Sequence, residues 1–536
     1  MSLLRIEDLN VRIGPIPVLR DVSLQIAPGE TLGLVGESGS GKSMTALSIM
    51  RLLPASARVT GQVLLDGEDL AAKTEKQMCA LRGASVGMVF QEPMTALNPV
   101  QTIGAQVAEV VRLHRPDVDA EDAARHALAR AGLPEAQFSL SRYPHDLSGG
   151  QRQRVVIAMA VALRPRLLIA DEPTTALDVT TQARILDLLK SLAREDGAGL
   201  LMITHDLAVV AEMADRIVIM KDGEVVEEGE TVSLFRGMRH AYTKSLFEAS
   251  THRPARRARP PGPPVLEVHD AIRDYRLPRR SLLEKRRLFR AVNRASLALA
   301  AGENLGLVGE SGCGKSTLSR AILALEPLQG GSVTLTGRDF APGAPPDLRR
   351  GVQVVFQDPY GSFDPRWTVA DLIAEPFHLL DPRPPTEQRR ARVETMLEQV
   401  GLSAADAEKY PHEFSGGQRQ RLAIARALIT EPKVVVLDEA VSALDVSVRA
   451  RILDLLADLS ERLDVSYLFI SHDLHVVRAI TDRVLVMKNG EIVEEGETET
   501  VFAAPRHAYT RSLLAATPDL DRALSARSAR AAAVGD

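Results

Sequence analysis

Residues 33–43 read Gly-Leu-Val-Gly-Glu-Ser-Gly-Ser-Gly-Lys-Ser, and residues 306–316 read Gly-Leu-Val-Gly-Glu-Ser-Gly-Cys-Gly-Lys-Ser. In the first copy the β-rich run TLGLV (31–35) leads into the glycines, and the helix-like SMTALSIMRLL (43–53) follows. Strand, glycine-rich loop, helix is the order a phosphate-binding loop requires. Glycines let successive backbone N–H groups curl around phosphate oxygens, the lysine reaches the terminal phosphates, and the serine hydroxyl suits magnesium. The residues so cast are Gly36, Ser38, Gly39, Gly41, Lys42 and Ser43, and again Gly309, Ser311, Gly312, Gly314, Lys315, Ser316 and Thr317. A lone glycine-rich stretch is often only a turn. Two full copies in this context point to nucleotide.

The repetition extends outward. SGGQRQR at 148–154 returns at 415–421, LIADE at 168–172 is matched by VVLDE at 435–439, and ITHDL at 203–207 by ISHDL at 470–474. The glycine loops lie 273 positions apart (33 to 306) and the later motifs 267 (148 to 415), so the second copy is slightly shorter behind its loop. Such a period is far too long for a solenoid and describes two domains of one fold. Residues 1–250 and 265–515 are the expected domains. Between them THRPARRARPPGPP (251–264), with four arginines and five prolines, reads as a semi-rigid tether. A second basic stretch, RLPRRSLLEKRRLFR (276–290), reads as a hairpin or loop inserted before VNRASLALAAGE. Residues 516–536, ending ALSARSARAAAVGD, read as a small, polar, flexible tail.

Composition narrows the class. The 536 residues suffice for three or four domains with real cores. A net charge of -5 is modest and argues against a nucleic-acid binder that relies on bulk charge. Two cysteines, Cys79 and Cys313, exclude a disulfide scaffold and a four-cysteine cluster within the chain. No apolar run approaches the roughly 18–20 residues of a membrane span, and MSLLRIEDLNV lacks the pattern of a signal peptide. A soluble, intracellular, multidomain protein is the expectation.

The hydrolytic residues follow from position. Asp171-Glu172 and Asp438-Glu439 close the apolar runs LLIA and VVVL, which read as buried parallel strands. There the aspartate suits magnesium and the glutamate suits an attacking water. A cap on the next helix is the simpler reading, and it loses weight behind a phosphate loop. His205 and His472 follow the strand-like LLMIT and YLFIS, each 33 residues beyond its glutamate, where an imidazole meets a γ-phosphate.

With these motifs in place, both halves resemble ATP-binding cassette (ABC) ATPase domains over essentially the whole chain apart from linker and tail. The family signature stands as Leu147-Ser148-Gly149-Gly150-Gln151 and Phe414-Ser415-Gly416-Gly417-Gln418. The resemblance implies an α/β fold of the P-loop NTPase type. Each half would have a RecA-like core, an antiparallel β subdomain and a helical signature subdomain. It casts Gln91 and Gln357 as Q-loop glutamines. The magnesium sets become Ser43, Gln91 and Asp171, and Ser316, Gln357 and Asp438. It casts Ala176-Leu177-Asp178 and Ala443-Leu444-Asp445 as D-loops. It implies an intramolecular, head-to-tail cassette pair in which Lys42 faces Ser415 and Lys315 faces Ser148 across two composite sites. ATP and magnesium are the implied cofactors, and the cysteine-free tail implies no iron–sulfur cluster. Two departures stand out. Ala440 replaces the usual proline kept as Pro173, which is expected to loosen the following turn. Tyr275 fits the adenine-stacking aromatic of the second half, whereas the first half has Ile13.

Within the family, GMVFQEPMTALNP (87–99), VVFQDPYGSFDP (354–365), RHAYTKSL and RHAYTRSLL resemble ATPases of bacterial peptide and nickel importers. The fused layout is most similar to the single-chain ATPase of oligopeptide, dipeptide, microcin C or glutathione importers. That implies two membrane permease subunits, an extracytoplasmic solute-binding protein, a peripheral place on the cytoplasmic face of the membrane, and no nucleic acid. Three rivals are weaker. A ribosome-acting twin-cassette protein has a long, charged, helical linker, and this one is short and proline-broken. A DNA-repair ATPase has zinc-binding cysteine insertions. An ABC ATPase for another substrate, exported or imported, differs least from this pattern. The transported molecule touches the membrane subunits and binding protein, so no residue here specifies it.

Overall fold

The strands at the centre of each half are continuous apolar runs. LLIAD (Leu167–Asp171), GLLMIT (Gly199–Thr204) and SYLFI (Ser466–Ile470) are buried at every residue. Only a parallel sheet covered on both faces accommodates such runs. In this computed structural model, which describes residues 2–175, 177–256, 262–277, 287–358, 361–442 and 444–535, they lie in two such sheets. The chain divides into two compact units, the first comprising Met1–Thr251, Asp445–Ser447 and Pro518–Asp536, the second His252–Leu444 and Val448–Thr517.

In the first unit six strands run in the order Glu224–Glu230, Arg216–Lys221, Thr31–Val35, Gly199–Thr204, Leu167–Asp171, Val86–Val89. The first pair is antiparallel and the rest parallel. Side chains alternate between faces along each strand. Leu168, Leu200 and Met202 therefore join one core with the helices Ile103–His114, Ala120–Arg130 and Gly149–Val161. Leu167, Ile169, Leu201 and Ile203 join another with Leu4, Ile6, Val22 and Ile26 of an antiparallel sheet. That second sheet has four strands, Ile16–Ile26, Leu4–Ile13, Ala57–Leu65 and Glu68–Asp69. The second unit repeats the plan, with a six-stranded sheet ordered Val352–Val355, Val434–Asp438, Ser466–Ile470, Asn304–Val308, Arg483–Lys488, Glu491–Glu497. The two units are α/β P-loop folds, each with an antiparallel β layer and a helical layer.

One glycine in each half sets the layer spacing. A Cβ on Gly33 would lie 2.5 Å from Val210 Cγ1, and one on Gly306 2.6 Å from Val477 Cγ1. The helices Leu207–Met213 and Leu474–Ile480 therefore rest directly on the phosphate-loop strands.

The tail departs from expectation. Leu520–Gly535 is a helix, and Leu520, Ala523 and Leu524 pack in one apolar cluster with Leu207, Val210 and Ala211 of the first unit. Asp519 starts it by accepting from Arg522 N at 2.8 Å. The segment was expected to be frayed because its residues are small and polar. Its few leucines and alanines, however, recur at helical spacing on one face.

The linker also has fixed points within the second unit. Arg256 pairs through both terminal nitrogens with Asp482, at 3.1 and 3.0 Å, and donates to Ile480 O at 2.6 Å. Residues 257–261 lie outside the described residues, as do 278–286 of the basic stretch, Ala176 and Ala443. The strands flanking that stretch, Pro264–Arg276 and Leu288–Ala300, are paired antiparallel, with Tyr275 opposite Phe289.

Candidate active site

The phosphate loop, the acidic pair and the histidine meet at the carboxyl ends of neighbouring parallel strands, the usual ligand-binding edge of such sheets. Gly33 pairs with Met202, and Asp171 with Ile203. Gly41, at φ +102°, caps the helix Lys42–Met50, and Gly314, at φ +114°, caps Lys315–Ile322. These are left-handed conformations that a side chain resists. The turn that results aims the helix N-terminus at the loop's interior, where anions are favoured.

Each lysine is buried and folded back on its own loop. Lys42 Nζ donates to Gly36 O at 2.8 Å and Glu37 O at 2.7 Å; Lys315 Nζ donates to Gly309 O at 2.7 Å and Glu310 O at 2.9 Å. Burial holds the Lys42 ammonium below its ordinary pKa, although Glu172 and its neighbouring carboxylates oppose that. An ammonium bonded only to neutral acceptors gains from a polyphosphate. Cys313 Sγ lies 3.9 Å from Lys315 Nζ, where Ser40 Oγ stands 3.4 Å from Lys42 Nζ in the first unit. Burial pushes the Cys313 thiol up, so it stays protonated.

The carboxylates split in character. Burial raises Asp171 to about 6, beyond what its hydrogen bond from Ser43 Oγ, at 3.2 Å, can offset. Burial also raises Asp438. Glu172 goes the other way, to about 2: burial opposes ionisation, but His205, Thr175 and Lys42 together outweigh it. His205 Nδ1 lies 3.2 Å from Glu172 Oε1, while Thr175 Oγ1 and Gln91 Nε2 each donate to Oε2 at 3.0 Å. In the second unit His472 Nδ1 lies 3.1 Å from Glu439 Oε1, and His472 and Lys315 lower Glu439 against the effect of burial.

The backbone of both glutamates is left-handed, with φ +45° at Glu172 and +51° at Glu439. Non-glycine residues enter this region at a cost and concentrate at functional sites. Each is held by its N–H, donated to Ile203 O at 2.9 Å and Ile470 O at 2.8 Å. No sequence signal announced it. Glu439, ahead of Ala440, takes the same left-handed backbone as Glu172 does ahead of Pro173.

The signature serines are helix caps. Ser148 Oγ accepts from Gln151 N at 3.3 Å, and Gln151 Oε1 accepts from Ser148 N at 2.9 Å. Ser415 and Gln418 repeat the capping box at 3.4 and 3.0 Å. The two glycines differ in purpose. A Cβ on Gly150 would lie 2.3 Å from Thr181 Cγ2 and one on Gly417 2.5 Å from Val448 Cγ1, whereas Gly416 has nothing within 4 Å and Gly149 only Leu177 at 3.7 Å. Gly150 and Gly417 serve packing; Gly149 and Gly416 keep an open face at a helix N-terminus.

The remaining predicted residues fall as follows. Asp178 caps the helix Val179–Asp196, accepting from Thr181 N at 3.0 Å. Asp445, grouped with the first unit, accepts from Ser38 N at 2.6 Å. Gln357 is exposed beyond the strand Val352–Val355. Tyr275 donates to Glu326 Oε2 at 2.6 Å, with the Arg273 guanidinium 4.8 Å from its ring centroid. Ile13 pairs with Ile16 and Ala57 at the strand end. For magnesium, a hydroxyl and a carboxylate oxygen 3.2 Å apart beside a phosphate loop form a hard, oxygen-only donor pair, which suits an ion completed by waters and phosphates. Ser43 and Asp171 therefore fit it; Gln91 is engaged with Glu172 instead.

Comparison with known proteins agrees with this geometry. The ABC transporter domain family matches residues 19–175 and 292–442. The chain belongs to the ABC transporter family. A second family, the oligopeptide/dipeptide transporter C-terminal region, matches 226–269 and 493–534. The chain is 48% identical to the glutathione import ATP-binding protein GsiA of Escherichia coli O157:H7 and 47% identical to that of Escherichia coli strain K12. Each alignment spans 96% of this chain and 90% of the relative. As a member of this family the protein is an ATPase, with two cassettes in one chain. Among the described residues, no helix is long and apolar enough to cross a membrane.

Proposed function

We propose that this chain is the ATP-hydrolysing subunit of an importer for glutathione or short peptides. It would drive two permease subunits from the cytoplasmic face of the membrane, with an extracytoplasmic protein delivering the solute. The observation that carries the reading is the near-half identity to glutathione import proteins over 96% of the chain. The oligopeptide/dipeptide transporter C-terminal region, present behind both cassettes, supports it.

The residues divide the work. The loop N–H groups and Lys42 or Lys315 bind the phosphates of ATP. Ser43 and Asp171, and Ser316 and Asp438, would hold magnesium, which would supply positive charge to offset that of the phosphates. Glu172 and Glu439 orient the water for in-line attack. An acid as strong as Glu172 accepts a hydrogen bond well but takes a proton reluctantly, so alignment of the water precedes transfer. His205 and His472 fix the glutamates and face the γ-phosphate. Tyr275 stacks on adenine. The open helix N-termini at Gly149 and Gly416 offer backbone donors suited to phosphate. ATP must favour the closed pair over the open one for transport to be driven.

The test is affinity purification of a Glu172→Gln/Glu439→Gln chain from detergent-solubilised native membranes in ATP, followed by mass spectrometry. Two polytopic membrane proteins in stoichiometric amounts are expected. Ribosomal proteins without a permease would overturn the reading.

A further inference from the structure

The HAYT sequences at 240–243 and 507–510 lie outside the nucleotide motifs, in the C-terminal region of each cassette. In both units they nevertheless reach the phosphate loop. Glu37 N donates to the hydroxyl of Tyr242 at 3.1 Å, and Glu310 N donates to the hydroxyl of Tyr509 at 3.0 Å. Both rings are buried. Each is steadied from behind. His240 Nδ1 accepts from Tyr242 N at 3.2 Å and His507 Nδ1 from Tyr509 N at 3.1 Å. Lys221 Nζ stands 5.2 Å from the Tyr242 ring centroid and Lys488 Nζ 4.8 Å from that of Tyr509. Glu227 accepts from Arg239 N and His240 N, and Glu494 from Arg506 N and His507 N. The arrangement is therefore tied to the sheet edge and not to the loop alone.

The residue it grips is the one that parks the lysine. Glu37 is held at its N–H by Tyr242 and at its carbonyl by Lys42 Nζ, and Glu310 likewise by Tyr509 and Lys315. When a polyphosphate enters, the ammonium must leave that carbonyl, and the tyrosine bond at the Glu37 or Glu310 N–H then holds this turn together with the loop's own bonds from Ser40 N to Glu37 O and from Cys313 N to Glu310 O.

We propose that Tyr242 and Tyr509 are positioning residues for ATP, and that through them the C-terminal region senses whether the phosphate loop is filled. The hydroxyl carries the function; the ring carries the packing. The proposal rests on ATP binding at these loops, so the wild-type chain is assayed alongside each variant. A wild-type chain that neither binds nor hydrolyses ATP would refute the site itself.

The experiment pairs Tyr242→Phe/Tyr509→Phe with hydrogen-exchange mass spectrometry on the full chain. Losing a neutral hydrogen bond of ordinary strength is expected to raise KM for ATP about three- to tenfold while kcat stays within about twofold. Peptides covering 33–43 and 306–316 should exchange faster in the variant, with an unchanged thermal midpoint. Unaltered KM and exchange would overturn the proposal, as would a fall in kcat at constant KM. Wild-type exchange provides a reading independent of variant folding. Peptides 240–250 and 507–516 should change protection when ATP is added under non-hydrolysing conditions, and no change there would equally overturn it.

Discussion

His205 Nδ1 lies 3.2 Å from Glu172 Oε1, and the same contact recurs at 3.1 Å between His472 and Glu439. Because Glu172 is ionised throughout the physiological range, it accepts and the imidazole Nδ1–H donates. That fixes the tautomer and leaves Nε2 to a second partner. Both halves carry this histidine–glutamate contact, and in the first Thr175 and Gln91 add bonds to the other carboxylate oxygen.

Replacing both glutamates tests this directly. Glu172→Gln/Glu439→Gln should reduce phosphate release at saturating ATP by about 10²–10⁴-fold, the range associated with losing a positioned acid–base group. ATP affinity should be retained, since neither side chain holds the loop. Steady-state release and equilibrium nucleotide binding on the same preparation separate the two effects.

Asp171 and Glu172 give opposite pH dependences. Asp171 is raised from 3.8 to about 6, so its contribution favours the fold below about pH 4 and is lost as pH rises through 6. Asp171→Asn should therefore stabilise the nucleotide-free chain at pH 8, by on the order of 3 kcal/mol, with the gain vanishing below about pH 4. Glu172 is lowered from 4.5 to about 2, so its stabilising contribution is present above 4.5 and disappears as pH falls toward 2. Thermal unfolding of wild type and Asp171→Asn between pH 4 and 8 checks the sign. A variant no more stable at pH 8 would show that the buried carboxyl carries no cost.

The loops, the acidic strand ends, the histidines and the doubled architecture were legible because each depends on local spacing. TLGLV is the strand Thr31–Val35, residue for residue, and the helix read at 43–53 spans Lys42–Met50. It stops early because Arg51 turns left-handed before Pro54. What escaped depends on partners distant in sequence. Nothing in the residues around Glu172 reveals a positive φ, which is imposed by the bond to Ile203. The tail helix was legible in principle. Leu520, Ala523, Leu524 and Arg527 follow the i, i+3, i+4, i+7 rhythm of a helix face, and the polar composition hid it. In the sequence the tyrosines of HAYT carry only a family resemblance, since 205 residues separate Tyr242 from Glu37.

The paired glycines of the signature should respond differently to one added methyl group. Gly150→Ala and Gly417→Ala drive a Cβ against Thr181 and Val448, and such overpacking costs about 1–3 kcal/mol. Gly416→Ala adds its Cβ in open space and should leave the unfolding midpoint unchanged. If that face completes an ATP site, Gly416→Ala still slows hydrolysis. Calorimetry and ATPase rates on the three variants separate packing from function, and a destabilised Gly416→Ala would contradict the open face.

Two arginines of the linker offer a graded comparison. Arg256, whose side chain is 16% exposed, makes two bonds to Asp482 and one to Ile480 O. Asp482 in turn accepts from Asn304 N at 2.8 Å, which ties the pair to the phosphate-loop strand. Arg253, 53% exposed, meets Glu499 in a surface pair. Hydrogen bonds to charged groups contribute about 1.5–3 kcal/mol where water is limited, against about 0.2–1 kcal/mol for exposed pairs. Asp482 is itself half-exposed, so Arg256→Ala should cost about 1–2 kcal/mol in the second unit, and Arg253→Ala less than about 0.5 kcal/mol. Scanning calorimetry at low and high salt discriminates further. The Arg253 effect should fade with salt, while the Arg256 effect persists through its carbonyl bond. Equal, salt-sensitive losses would mean that the linker only brushes the second cassette.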